Sequence, residues 1–438
     1  MTRALPRNLP SLEAPPGIKT IPFSRLRSAN TTPGFTADER IDPYFHGLWA
    51  DGAQASWMSR KLLDRLHSAK LAKISRGEAK ASTKSSLAAL LRSRRQAHLA
   101  ELAAVGMWRT LSGQQLAAIT GHSAAAVNPQ EMSWPFRAGL VDRGSLLPDL
   151  HAGLVKNEHH LYRPVDTPTF ADLIAQLTFP ERCALTAGQP WTRGSQNDRH
   201  NMLATEIGLR VAEYCDIGTV LGEKLSRSGM LAKNDTGPGG TSADLTIVRE
   251  DGHRIAVEIT ASGTQSLGGK VRRWAKTLAG TDQTKVGLSV VFLEAAGPER
   301  PDHISTALWN SIRAEVAVAA YENGGARAGV PERMAIARWR WFFPEPGCTS
   351  TAFQILECLR PTGEWNDRWE VVALLDPTDL VFEPADPHAA AALIRNSWDL
   401  GGLPHWLKPP GHTTDFSAAL IRRAGLANFP TIAPSRRT

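Results

Sequence analysis

The chain lacks the residue patterns that would tie it to several common chemistries. Its four cysteines, Cys183, Cys215, Cys348 and Cys358, stand far apart and form no CxxC or CxxH pair. Neither a disulfide framework nor a zinc finger is therefore expected. No run approaches the roughly 18 uninterrupted apolar residues of a membrane span. The opening stretch, MTRALPRNLPSLEAPPGIKT, has no apolar core of the kind a secretory leader carries. Both absences lead to the expectation of a cytoplasmic protein with no membrane partner. No GxxxxGK[ST] occurs, and Gly237-Pro-Gly-Gly240 lacks the lysine of a phosphate loop, which sets aside ATP-driven translocation. The GxSxG of a serine hydrolase is missing as well. Of thirteen histidines, only His159 and His160 stand close together, and the tyrosines number four. A metal held by two histidines beside a nucleophilic tyrosine is not expected.

What is present is a concentrated positive charge. Between Ser56 and His98 stand Arg60, Lys61, Arg65, Lys70, Lys73, Arg76, Lys80, Lys84, Arg92, Arg94 and Arg95, opposed only by Asp64 and Glu78. The whole chain carries a net charge of +7, so the rest of it is slightly acidic. One basic segment, and not a generally basic surface, sets the charge. Such concentration points to a polyanion, most often nucleic acid. A solvated helix or linker kept soluble by its charge is the plainer alternative.

Periodicity divides the chain into five parts. Residues 1–55, with Pro15-Pro16 and no sustained period, are expected to be an extended or disordered arm. Residues 56–97 form a basic helical segment, with Leu62, Leu63, Leu66, Leu87, Leu90 and Leu91 at three- and four-residue intervals. Residues 98–165 follow a winged-helix pattern. QAHLAELAAVGMW supplies a first helix, and TLSGQQLAAITG a second that Gly121 closes. A third would be capped by Ser123, and SLLPDL and HHLYRP would be two wing strands. Pro129 and Pro135 interrupt the third helix, which offers Asn128 and Gln130 to bases but no Arg or Lys before Arg137. Packing against protein is as open a role for this domain as base reading. Residues 196–383 alternate helix and strand, and 384–438 are expected to be a C-terminal surface tail. The fold class is thus α/β in a multidomain α+β chain.

The α/β part carries the one constellation with chemical content. A helix, MLATEIGLRVAEYC, has Glu206, Arg210 and Glu213 on one face. Asp244 opens the strand SADLTIV, Glu250-Asp-Gly252 turns the chain, and Glu258 lies in the returning strand RIAVEIT. Alternation sets Ala256, Glu258 and Thr260 on one side and Ile255, Val257 and Ile259 on the other. Two carboxylates at a hairpin's end, with a helical carboxylate, can chelate Mg²⁺, or Mn²⁺ in its place. A metal so held polarises a phosphate and activates water. A helical Glu–Arg pair, an ordinary turn Asp-Gly and a sheet-edge Glu258 paired with Lys270 or Arg273 are the plainer readings of the same residues.

This segment resembles the PD-(D/E)XK nuclease superfamily, whose core runs αβββαβ. Asp244 and Glu258 match its two strand acids, and Glu206 or Glu213 its helical acid. Thr260 stands where the family has lysine, and Lys270, on the following helix in GGKVRRW, is the available replacement. A narrower resemblance covers about 100–280. The winged helix, "AGLVDRG", "RHNMLATE", "ADLTIV…G…AVEIT" and "KVRRW" are similar to the replication-relaxation family of bacterial plasmids and mobile elements. On that resemblance Glu206 is preferred to Glu213.

The resemblance implies a DNA-binding protein acting in plasmid replication or transfer, alongside other replication or transfer proteins. It implies a metal-dependent phosphodiesterase, a DNA endonuclease or nickase. Asp244, Glu258 and Glu206 would be the metal ligands and Lys270 a further catalytic group. The concentrated charge, and not the resemblance, points to DNA contacts from Arg60, Lys61, Arg65, Lys70, Lys73, Arg92, Arg94 and Arg95. A catalytically inactive nuclease fold that binds DNA or serves as a scaffold is the open alternative.

Overall fold

The computed structural model describes residues 15, 17–26, 36–45, 55–69, 83–122, 132–146, 160–194, 198–232, 241–262, 266–362, 368–410 and 412. These fall into two compact units of mixed α/β structure. The first draws on 30–43, 51–209 and 395–438, the second on 1–29, 44–50 and 210–394.

The first unit begins with β1 (Ala55–Met58), α1 (Arg60–Ser68), α2 (Thr83–Arg92) and α3 (Arg95–Trp108). Then come β2 (Leu111–Ser112), α4 (Gly113–Thr120), α5 (Ser133–Arg137), β3 (Val141–Leu146) and β4 (His160–Pro164). Helices α6 (Pro168–Ala175) and α7 (Phe179–Thr186) follow, with α8 (Asp198–Tyr214) running to the unit's end. The strands form an antiparallel sheet in the order β1-β3-β4-β2. Helix α3 is buried from Glu101 to Trp108 without a break. A helix apolar on all sides has to be enclosed by its neighbours. Helix α4 starts with a capping box between Ser112 and Gln115 and stops at Gly121, whose φ of 71° suits glycine.

Expectations for this unit change at several points, and one falls outside the described residues. Residues 123–131, where a helix capped by Ser123 was expected, lie outside the described residues. The short α5 has Pro135 inside its first turn, where a missing N–H costs nothing. Gly139, at φ +72°, ends that turn, and β3 starts at Val141, several residues before SLLPDL. Residues 55–58, at the junction of the expected arm and the basic helical segment, form a strand on β3. The tail expected on the surface buries Leu400, Leu403 and Trp406, and the Trp108 indole donates to Gly402 O.

The second unit holds β5 (Thr219–Gly222), α9 (Ser228–Ala232), β6 (Leu245–Val248), β7 (Arg254–Thr260) and α10 (Leu267–Ala279). It continues through β8 (Leu288–Glu294), α11 (Asp302–Tyr321), β9 (Met334–Arg338), β10 (Glu357–Thr362), β11 (Arg368–Ala373) and most of α12 (Pro387–Ser397). The sheet order follows the chain, β5-β6-β7-β8-β9-β10-β11. Pairs β7–β8 and β8–β9 are parallel and the others antiparallel. Strand β8 is buried throughout, as a central parallel strand covered on both faces must be. Helix α10 buries Leu267, Val271, Trp274 and Leu278, a single stripe at helical spacing.

Here too the outcome differs in places from periodicity. Residues 1–55 were expected to be extended or disordered. Yet Thr20–Pro22 pairs with Cys348–Ser350, and Phe23 stacks on Tyr214. In the first unit Arg40 is buried as well. Isolated residues with distant partners leave no local period. Strand β9 stops at Arg338, and Trp339–Phe342 coils into a turn of helix in which Trp339, Trp341 and Phe342 are buried. Strand β10, with a proline near its end, was not expected. Among the described residues no helix is long and apolar enough to cross a membrane.

Candidate functional site

The paired carboxylates lie on adjacent inner strands of the second unit. Asp244 directly precedes β6, and its backbone N–H donates to Val257 O at 3.0 Å. Its carboxylate turns back on β7, where Oδ2 accepts the Ile259 N–H at 2.6 Å. Asp244 is thus tied to the strand that bears Glu258, at main chain and side chain alike.

Glu258 is fully buried, and its two oxygens are held by one helix. Lys270 Nζ forms an ion pair with Oε2, and the Trp274 indole N–H donates to Oε1. Lys270 and Trp274 are four residues apart in α10, so helical geometry sets them on one face. Burial raises the Glu258 pKa well above the carboxylate range; Asp244 adds to the rise, while Lys270 and Trp274 oppose it. For Lys270, burial would lower the pKa, but the charges of Glu258 and Asp244 outweigh it and drive it upward. Each partner stabilises the charged form of the other.

Two members of this cluster were not assigned from sequence. Trp274 shares the helical face of Lys270, which the spacing shows, but nothing in the sequence tells that its N–H meets Glu258. Glu223, in the 3₁₀ turn after β5, also acts on Lys270 through its charge. No sequence signal near Glu223 points to the strand hairpin.

The expected third ligand is engaged elsewhere. Glu206 is fully buried in the first unit, where Arg40 Nη2 lies 3.0 Å from Oε1 and Gln115 Nε2 donates to Oε2 at 3.1 Å. Arg210, its i+4 neighbour, carries its guanidinium over the rings of Phe23 and Phe343, at 5.1 and 4.4 Å. Among the described residues no three His, Cys, Asp or Glu side chains form a group able to hold a metal ion. The expected Asp244–Glu258–Glu206 ligand set is therefore not assembled. What remains is two carboxylates, a donor set that suits a hydrated Mg²⁺ completed by waters and a phosphate. Asp244 and Glu258 are the residues that would hold one.

The basic residues divide. Lys61 and Arg65 are exposed on α1, while Arg60 pairs with Asp64 at 2.9 Å. Arg92 and Arg94 are exposed at the α2–α3 junction, and Arg92 Nε caps the Ala88 carbonyl. Arg95 is committed to Glu181, with Nε–Oε1 at 2.7 Å and Nη2–Oε2 at 2.8 Å. That bidentate pair makes Arg95 a fixture of the first unit and a poor phosphate contact. Lys70 and Lys73 lie outside the described residues.

No protein-family model, curated protein or solved structure matches the chain.

Proposed function

We propose that the chain is a DNA-acting protein of a plasmid or other mobile element, similar to the replication-relaxation family, whose second unit is a nuclease-like domain. The observation that carries the reading is Glu258 buried beside Asp244 and ion-paired to Lys270. Two acids on neighbouring strands and a lysine from the following helix are the three kinds of group that phosphodiester hydrolysis uses. Apart from the short α9 between β5 and β6, the order along the chain from α8 through β5, β6, β7 and α10 to β8 supports it, being helix, three strands, helix, strand. The order α3, β2, α4, α5, β3, β4 supports a winged helix in the first unit.

A divalent ion bound there would supply a Lewis acid for the phosphate. The chain's own part is distinct. Asp244, fixed by the Ile259 amide, presents a carboxylate at the strand ends. Lys270 keeps a cation next to the same point, where it can steady a phosphate oxygen. Trp274 fixes the orientation of Glu258. The exposed Lys61, Arg65, Arg92 and Arg94 are suited to backbone phosphates.

A second reading, an inactive nuclease fold that binds DNA, is favoured by the engagement of Glu206 with Arg40 and Gln115. Thr260, at the lysine position, favours it too. Incubation of supercoiled plasmid with the full chain and Mg²⁺ or Mn²⁺ separates the two. Nicking that Asp244→Asn, Glu258→Gln and Lys270→Met each abolish supports the enzyme. DNA binding without nicking at any metal concentration supports the inactive form.

A further inference from the structure

The first unit contains a cavity of about 410 Å³, apart from every residue discussed so far except Glu181. Leu99 and Ala100 of α3 and Ala184 and Leu185 of α7 form most of its apolar wall; Gln96 and Glu181 of the same helices, and Gly401 and Lys408 of the C-terminal segment, also line it. That segment is fastened in place: Gly401 N–H donates to Ala184 O at 3.0 Å. A Cβ on Gly401 would stand 2.6 Å from that of Ala103, so only glycine allows the approach. The cavity is a built feature of the packing, and its size falls within the range of small-molecule sites.

Its lining narrows the ligand. Among the described residues no Phe, Tyr or Trp ring lines it, and its one imidazole, His122, is engaged with Glu101, so a nucleobase or aryl group has no large ring to stack on. The helical walls are mostly alanine and leucine, with Gln96 and Glu181 as their polar members, and the apolar stretch suits an aliphatic chain.

The charges narrow it further. Glu181 lines the cavity but is held by Arg95, and His122 is 3.2 Å from the buried Glu101. Lys408 is different. Among the described residues its ammonium makes no hydrogen bond or ion pair, and only Asp399 acts on it at longer range. Burial lowers its pKa to about 8, the mark of a cation short of solvation. One uncommitted cation balances one negative charge. A phosphate, with more, would find no second uncommitted cation among the described lining residues.

We propose that this cavity binds an aliphatic monocarboxylate, its carboxylate on the Lys408 ammonium and its chain between α3 and α7. The site is independent of the nuclease-like reading of the second unit, and it would give the first unit a small-molecule input.

Calorimetric titration of the full chain with octanoate, and with octan-1-ol as an uncharged counterpart, tests it. Octanoate should bind saturably with one site per chain and more tightly than the alcohol. Lys408→Met should weaken octanoate by about tenfold or more and leave the alcohol unchanged, because it removes a charge-assisted contact. Ala100→Leu, which fills the space from one wall, should abolish binding of both; an unchanged melting temperature would show that the fold survives. No saturable binding, equal affinity for acid and alcohol, or octanoate binding indifferent to Lys408→Met would each overturn the proposal.

Discussion

Removing the Lys270 side chain should expose how costly Glu258 is by itself. In the native protein the carboxylate has no exposure to solvent, and its two oxygens meet the Lys270 ammonium and the Trp274 indole. Lys270→Met leaves the indole alone to answer a full negative charge. Breaking a buried pair from one side typically costs about 3–5 kcal/mol. Lys270 is 31% exposed at its side chain, so solvent screens part of the interaction and the lower end, about 3 kcal/mol, is expected. That is a large share of a stability of about 5–15 kcal/mol.

The pH dependence follows from the direction of the shift. The Glu258 pKa is raised in the folded state, and removing Lys270 takes away a charge that lowers it. A raised carboxyl holds its proton in the native state above the pH at which the unfolded chain releases it. Stability is then greatest below the unfolded value and falls as pH climbs through the folded one. The variant should accordingly be nearly normal at pH about 5 and most destabilised at pH about 8. Urea unfolding followed by circular dichroism at both pH values gives the difference. Hydrogen exchange of the Arg254–Thr260 amides assigns it to the second unit. Glu258→Gln in the same background should recover much of the stability. A cost below about 0.5 kcal/mol at pH 8, as for a surface pair, or one independent of pH, would refute the reasoning.

Three other outcomes are expected. Neutralising Arg60, Lys61, Arg65, Lys70 and Lys73 together should lower the salt dependence of duplex binding by about 0.9 in log–log slope for each DNA phosphate left without its cation; an unchanged slope in fluorescence anisotropy would place the DNA-binding surface elsewhere. Trp274→Phe should cost about 1–3 kcal/mol in urea unfolding, because it strips a buried carboxylate oxygen of its donor. Glu206→Gln should leave any plasmid nicking intact while lowering the unfolding midpoint, since its partners are Arg40 and Gln115; abolished nicking in a folded variant would return Glu206 to the active centre.

The legible part of the candidate site was the part written in short spacings. Asp244, Glu258 and the Gly252 turn lie within one hairpin, so strand alternation and turn chemistry suffice to bring them together. Lys270 came from the resemblance to nucleases whose lysine has moved to the next helix, and its ion pair with Glu258 is equally what a purely structural pairing would give. Arg40 shows what short spacings cannot carry. It sits in a proline-spaced stretch without periodicity, 166 residues from the glutamate that it meets. Glu206 was grouped with the metal ligands through the family resemblances, and neither a motif match nor a helical face says which long-range partner covers it. Phe23 was unreadable for the same reason: it lies in an aperiodic arm, and its contact with Tyr214 exists only after the sheet has formed. The hairpin strands β6 and β7 were recognisable because β-branched residues recur in both and the Asp251-Gly252 turn joins them. The ladder Thr20–Pro22 was not, since three residues ending in proline carry too little pattern.

A fully buried carboxylate on an interior strand still calls for a reason beyond stability. Replacing a buried ion pair by apolar residues of similar volume is often neutral or stabilising, by about 1–4 kcal/mol. If the Glu258–Lys270 pair only held α10 against the sheet, hydrophobic residues would serve there equally well. The surroundings are ready for them, since Val257, Val271 and Leu278 are already buried nearby in sequence on the same two elements. Yet the pair sits where Asp244 is half-buried and Lys270 keeps about a third of its side chain exposed, at the boundary between core and solvent. That position suits groups that must meet a ligand. The double variant Glu258→Leu with Lys270→Met separates the two roles. It should match or exceed the native protein in urea unfolding, and DNA affinity through the basic helices should persist, while nicking of plasmid disappears. A double variant that is stable and still nicks would remove the pair from the chemistry. One that is much less stable than either single variant would mark the pair as a fixture of the fold.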